Sequence, residues 1–209
     1  MKTGKNITEN TTRPKLIGIT GGIGSGKTTV SNTIKELGFS VYNSDESSKK
    51  IVNSVPDIRL KVIHLLGNRS YTNGVYDTKY ISQMVFNNPE VLEKLNQIIH
   101  PEVDKDFQNW KHEQNGKYIF KETALLFELG LHKKCDLSLL VTADENIRIE
   151  RVMARDGKIY EEIKSIIKRQ MPEIEKIRRA DIVIYNNGSK EELKIKIKNL
   201  IKNLIFVNN

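Results

Sequence analysis

The chain has 209 residues, 38% hydrophobic and 29% charged, with 34 Lys and Arg against 26 Asp and Glu for a formal net charge of +8. That length suits one well-buried core with a lid or inserted subdomain, and no stretch reaches the ~20 apolar residues needed to span a bilayer. A single cysteine, Cys135, excludes an intrachain disulfide framework and fits a reducing cytoplasm, and the polar start lacks the apolar run of a secretory signal.

Residues 1–13, polar and rich in Thr and Asn, read as a disordered tail. Lys15 to Thr20 is an apolar run of strand length. After the glycines, Val30, Ile34 and Leu37 recur at helical spacing, and Gly38 stops that helix. A second strand over 40–44 ends on Asp45 and completes a βαβ unit, which implies a parallel sheet with a right-handed crossover. Residues 46–115 are helical in pattern with no convincing strand. Pro56 opens one helix, Asn73-Gly74 marks a turn, helices follow over 78–87 and 89–99, and Pro101 opens another running to about Gln114. This block is expected to be an acceptor-side insertion.

The α/β pattern then resumes, with a strand over 117–123, a helix over 125–132 and a strand over 136–142. Thr142-Ala143-Asp144-Glu145 reads as a capping box opening a helix to Arg155, which Gly157 ends, and 160–170 forms another helix. A last strand spans 180–185, and Ser189-Lys190-Glu191-Glu192 is a second capping box before the final helix. That helix carries Leu193, Ile197, Leu200, Ile201 and Leu204 on one face and lysines on another. This favours packing on the sheet over a membrane-surface role. The expectation is an α/β fold: one domain over 14–205 with a doubly wound five-stranded parallel sheet, a helical insertion at about 46–115 and a helical lid at about 146–172.

Gly21-Gly22-Ile23-Gly24-Ser25-Gly26-Lys27-Thr28 is a complete Walker A match that leaves a strand and opens a helix. Glycines let the backbone approach phosphates closely, and amides from about Gly24 to Thr28 converge at a helix N-terminus that suits anions. Lys27 reaches the β- and γ-phosphates as a point charge, and the Thr28 hydroxyl is expected to ligate Mg²⁺. An Asn-Lys-x-Asp guanine motif is missing, and the chain is short for a helicase, which leaves small-molecule kinases.

Such a kinase needs a base for the acceptor hydroxyl and an arginine-bearing lid. Asp45, at the carboxyl edge of the second strand, suits the base, though Asp is also a favoured helix N-cap. Arg148, Arg151 and Arg155 share one helix face and suit the lid, though a solvated basic face has the same pattern. Glu122 reads equally as a group acting on Mg²⁺ through water and as a structural glutamate.

Several segments in the right order, covering nearly all of 15–200, resemble the dephospho-CoA kinase family. They are residues 19–29 around the phosphate loop, Val41-Tyr42-Asn43-Ser44-Asp45, Ile98-Ile99-His100-Pro101, Leu125-Leu126-Phe127-Glu128, Arg151-Val152-Met153-Ala154-Arg155-Asp156, and 180–184 leading to Asn187-Gly188. The resemblance implies ATP-dependent phosphorylation of the ribose 3′-hydroxyl of dephospho-CoA, the last step of coenzyme A synthesis. It implies Asp45, Lys27 and Arg151 as catalytic residues. ATP would be bound by Gly22, Gly24, Ser25, Gly26, Lys27, Thr28, Thr29, Arg148, Arg155, Asn187 and Gly188. Asp45, His100, Leu126, Phe127 and Glu128 would lie on the acceptor side.

Three positions depart from the family's pattern. Asn43 replaces the first Asp of its Asp-Ala-Asp, Ala124 replaces a Pro, and Thr78 stands where the family has an arginine. The competing readings are a kinase of the same architecture acting on a nucleoside monophosphate or other metabolite, and a nucleic-acid-binding P-loop protein. With lysines spread throughout and 7% aromatic residues, the charge favours an acidic ligand and by itself does not decide between a small polyanion and nucleic acid. The expected state is a cytoplasmic monomer with at most weak self-association, bound to neither nucleic acid nor membrane.

Overall fold

In chain order the elements are β1 (Lys15–Thr20), α1 (Lys27–Glu36), β2 (Ser40–Asn43), α2 (Ser44–Ser54), α3 (Pro56–Leu66), β3 (Tyr71–Thr72), β4 (Val75–Tyr76), α4 (Thr78–Phe86), α5 (Pro89–His112), β5 (Tyr118–Glu122), β6 (Leu137–Thr142), α6 (Glu145–Asp156), α7 (Tyr160–Arg169), α8 (Glu173–Arg179), β7 (Ile182–Tyr185) and α9 (Lys190–Phe206). They come from a computed structural model that describes residues 13–86 and 88–206. Most of the expected N-terminal tail lies outside the described residues. Arg13, at its end, pairs with Asp136 at 3.1 Å.

Five strands form one sheet in the order β2-β5-β1-β6-β7, every neighbouring pair parallel. Burial on both faces explains the nearly continuous apolar strands, since side chains alternate between two helical layers. On one face Ile17, Ile19 and Phe120 pack with Val30 and Ile34 of α1 and with Leu193, Ile197 and Ile201 of α9. On the other, Leu16, Tyr42 and Ile119 pack with Ile51 and Val52 of α2, Ile58 and Val62 of α3, and Val103 and Phe107 of α5. The lysines of α9 stay outside, so this helix covers the sheet. A third, small cluster joins Ile149 and Val152 of α6 to Ile163 of α7, with Ile23 packed against it.

Several local expectations are corrected. Pro101 does not start a helix but lies inside the 24-residue α5. Proline removes one backbone donor, while Leu95, Ile99, Val103 and Phe107 straddle it at four-residue intervals and are all buried, and that burial holds the helix together. Residues 125–132 form turns rather than a helix, running into a 3₁₀ turn at Leu131–Lys134 after Gly130 takes φ 65°. Leu126 and Phe127 there are both buried, Leu126 against Gly18 of β1, so packing on the sheet sets the path of this segment. The insertion does contain strands: β3 and β4 form a short antiparallel hairpin around Asn73-Gly74, whose φ values of 51° and 82° suit such a turn.

The supposed capping box at Thr142 is also absent, because Thr142 ends β6 and Asp144 is the N-cap residue without a side-chain cap bond. At the other box, Ser189 Oγ accepts from the Glu192 amide at 3.1 Å. Helix α8, directly after Pro172, was not anticipated.

Candidate functional site

The phosphate loop leaves β1, the strand flanked by β5 on one side and β6 on the other. In an open parallel sheet the carboxyl edge at such a central position is where ligands bind. Gly24 and Gly26 take φ values of 76° and 104°. At Gly24 a side chain would also collide with the backbone of Arg148, so the loop's conformation and the approach of α6 both require glycine. The loop is braced from outside by Asn186, whose buried amide donates to the Ser25 carbonyl at 2.8 Å. Lys27 folds over the loop, its ammonium donating to the carbonyls of Gly21 at 2.7 Å and Gly22 at 3.3 Å. Burial lowers the Lys27 pKa, and the nearby carboxylates of Glu122 and Asp45 oppose that shift.

A cleft of about 420 Å³ opens on the loop, lined by Gly24, Ser25, Gly26, Lys27, Thr28 and Thr29 together with Arg151 and Arg155. Lys190 and Lys194 also line it, against one acid, Glu36. That balance suits a polyanion. Arg151 additionally donates to the carbonyls of Asn186 at 2.8 Å and Gly188 at 2.9 Å, which fixes the loop after β7. Arg155 forms a two-pronged pair with Asp156 at 2.7 and 2.8 Å. Asn187 and Gly188 do not line this cleft. The Asn187 side chain instead accepts from the Asp144 amide at 2.9 Å and steadies the start of α6.

A larger cleft of about 720 Å³ lies on the α5 side and is lined by Asp45, His100 and Lys121, among others. Asp45 is exposed in the first turn of α2, whose N-cap is Asn43, not Asp45. His100 is half-buried, and that burial lowers its pKa. Burial likewise lowers the pKa of Lys121, whose ammonium lies 3.8 Å from the centre of the Phe107 ring and 3.9 Å from Asp104. Leu126 and Phe127 do not line the cleft. Both are core residues, and the wall is made by their neighbours Leu125, Leu129 and Leu131.

The arginine row divides. Arg148 is buried against Gly22, 3.5 Å from Glu173, and is not part of the cleft wall. It belongs to a polar cluster joining α6 and α8 to the core. Lys176, fully buried, sits 3.7 Å from Glu128 and 4.0 Å from Glu173. Glu128 also accepts from the Met171 amide at 3.0 Å, so it ties the core to the segment before α8 and lies away from the large cleft. Gln170 accepts from the Ile23 amide of the phosphate loop at 3.1 Å, and Arg169 stacks over Phe86 of α4 at 4.5 Å. Gln170, Lys176 and Asn186 were missed by sequence reasoning. Asn186, beside the flagged Asn187-Gly188, was the one with a signal nearby.

A family model described as dephospho-CoA kinase matches residues 15–192. Dephospho-CoA kinase of Fusobacterium nucleatum is 40% identical over 184 residues, covering 88% of this chain and 95% of the relative. The enzyme of that name from Leptospira interrogans is 38% identical over 192 residues, covering 91% and 93%. Among solved structures, the Thermus thermophilus protein TT1252 is similar at a TM-score of 0.82 and 34% identity, covering 92% of this chain and 99% of that one.

Proposed function

The chain belongs to the dephospho-CoA kinase family, and from that premise we propose which of its residues carry the family's reaction. It transfers the terminal phosphoryl group of ATP to the ribose 3′-hydroxyl of dephospho-CoA, giving CoA and ADP in the last step of coenzyme A biosynthesis. A nucleoside monophosphate as acceptor is not favoured by these relatives. The observation that carries the assignment of roles is that Asp45, in the large cleft, lies within electrostatic reach of Lys27, in the cationic one.

In this reading the cationic cleft takes ATP, with phosphates on the amides of Gly24 to Thr28 and on Lys27, and the large cleft takes dephospho-CoA. Asp45 accepts the proton of the 3′-hydroxyl and orients its oxygen for in-line attack. Lys27 turns from the loop carbonyls to the phosphates and neutralises charge on the transferring group, assisted by Arg151 and Arg155. His100 and the Leu125, Leu129 and Leu131 wall shape the acceptor pocket, while Leu126, Phe127 and Glu128 support it from behind. Arg148, Asn187 and Gly188 act by placing α6 and the loop after β7, and Gln170 holds the lid formed by α6, α7 and α8 against the phosphate loop.

Among the described residues no cluster of three or more His, Cys, Asp or Glu has the arrangement of a metal cage. The exposed Thr28 hydroxyl, the one group the motif offers, suits Mg²⁺, which keeps its waters and is held largely by substrate phosphates. When bound, that ion would neutralise charge on the β- and γ-phosphates. No helix among the described residues is long and apolar enough to cross a membrane. A cytoplasmic location fits the lone thiol and the use of ATP.

An ADP-release assay with dephospho-CoA, AMP, dTMP and shikimate tests the acceptor. The expected result is turnover with dephospho-CoA far above the others, and none with dephospho-CoA would overturn the reading. Asp45→Asn should lower kcat by about 100-fold or more with the KM for ATP nearly unchanged; parental kcat would remove Asp45 as base.

A further inference from the structure

Asn43 makes three hydrogen bonds with one side-chain amide. Its Oδ1 accepts from the backbone amides of Asp45 at 3.0 Å and Glu46 at 3.1 Å, and its Nδ2 donates to Glu122 Oε2 at 3.2 Å. Two backbone donors on one side fix which end of the amide is oxygen, so the other end must be the donor. The contact is built into the sheet, because Asn43 and Glu122 are direct partners in the pairing of β2 with β5. Glu122 is 3% exposed, with Lys27 of α1 and Asp45 and Glu46 of α2 within electrostatic reach.

We propose that Asn43 is a positioning residue for phosphoryl transfer: its amide sets the spacing between the Asp45 backbone and the Glu122 carboxylate. The proposal rests on the kinase reading above and deepens it. The oxygen end anchors the turn of α2 that presents Asp45 to the acceptor cleft. The nitrogen end holds Glu122 so that its charge faces the phosphate-loop lysine and does not turn toward Asp45. An aspartate at position 43 would cap α2 equally well but would set a second carboxylate against Glu122 in place of the amide donor. Serine would cap the helix with an oxygen that cannot stand at both ends of the span. Where the family has an aspartate, this chain has an amide that bonds at both ends.

The test exploits the fact that Asn, Asp and Ser are nearly equivalent helix caps. Asn43→Asp and Asn43→Ser are compared with the parent for thermal midpoint, kcat, and KM for ATP and dephospho-CoA. The expected result is midpoints within about 3 °C of the parent. Values of kcat should fall at least about tenfold in the Asp variant and severalfold in the Ser variant, with the KM for ATP within about twofold. If the Asp variant does not fold, the Ser variant decides by the same criteria. Parental kcat in the folded variants, or a kcat loss that only tracks a lowered midpoint, would overturn the proposal and leave Asn43 as a cap. Parental enzyme inactive on dephospho-CoA would instead refute the kinase reading, so the two failures are distinguishable.

Discussion

Replacing Lys176 by methionine removes a cation that has no solvent contact and no hydrogen-bond partner, only two carboxylates nearby. At an effective dielectric of about 20, attractions over 3.7 Å to Glu128 and 4.0 Å to Glu173 are worth about 4 kcal/mol each. Desolvating the ammonium takes back several kcal/mol, so the intact cluster contributes far less than that sum. Breaking it is another matter, because Glu128 and Glu173 remain partly buried. Glu173 keeps Arg148 at 3.5 Å, and Glu128 keeps only the Met171 amide. The net loss for Lys176→Met is then about 3 kcal/mol, in the range for breaking a buried pair. For a chain of this length that lowers the thermal midpoint by about 6–12 °C. Urea denaturation and calorimetry measure it, and Lys176→Met/Glu128→Gln should regain part of the loss because the orphaned charge is gone. A midpoint within about 2 °C of the parent for the single variant would refute the account of the cluster.

Lys27→Ala should reduce kcat by about 100-fold or more, read by ADP release; wild-type activity would refute the loop assignment. Leu126→Ala should destabilise by about 2–5 kcal/mol in urea while leaving the KM for dephospho-CoA unchanged, and a raised KM at parental stability would return this residue to the acceptor pocket. Burial raises the Glu122 pKa above its ordinary 4.5. The native state therefore keeps this proton at pH values where the unfolded chain has released it, and stability falls as pH rises through that window. Glu122→Gln should flatten that part of the curve of thermal midpoint against pH; an unchanged slope would show that Glu122 does not cause it.

The sheet was legible because its strands are apolar runs set between helices of plain periodicity, and the phosphate loop because glycine spacing encodes backbone geometry directly. What escaped was decided by tertiary packing. Pro101 is a local helix signal outweighed by four buried side chains placed on both sides of it. Leu126 and Phe127 look like lining residues in a motif, yet only the fold shows that Leu126 packs against Gly18 of β1 while Leu125 faces the cleft. The arginines at 148, 151 and 155 share a spacing, but Glu173 takes the first of them away from the cleft. Gln170 lacks any local pattern, since its partner Ile23 is 147 residues away.

The unbroken α5 has a mechanical consequence. Its 24 residues make a rod of about 36 Å, with Val103 and Phe107 packed under the sheet and Leu95 and Ile99 holding the insertion, while His100 and Pro101 form cleft wall between them. A hinge at Pro101 would have let the acceptor wall swing against the sheet; a continuous helix makes wall and sheet one rigid body. Admission of substrate then falls to the opposite bank. There the contacts are of mixed kind: Gln170 on Ile23, the buried Lys176 beside Glu128, and Arg169 over the Phe86 ring.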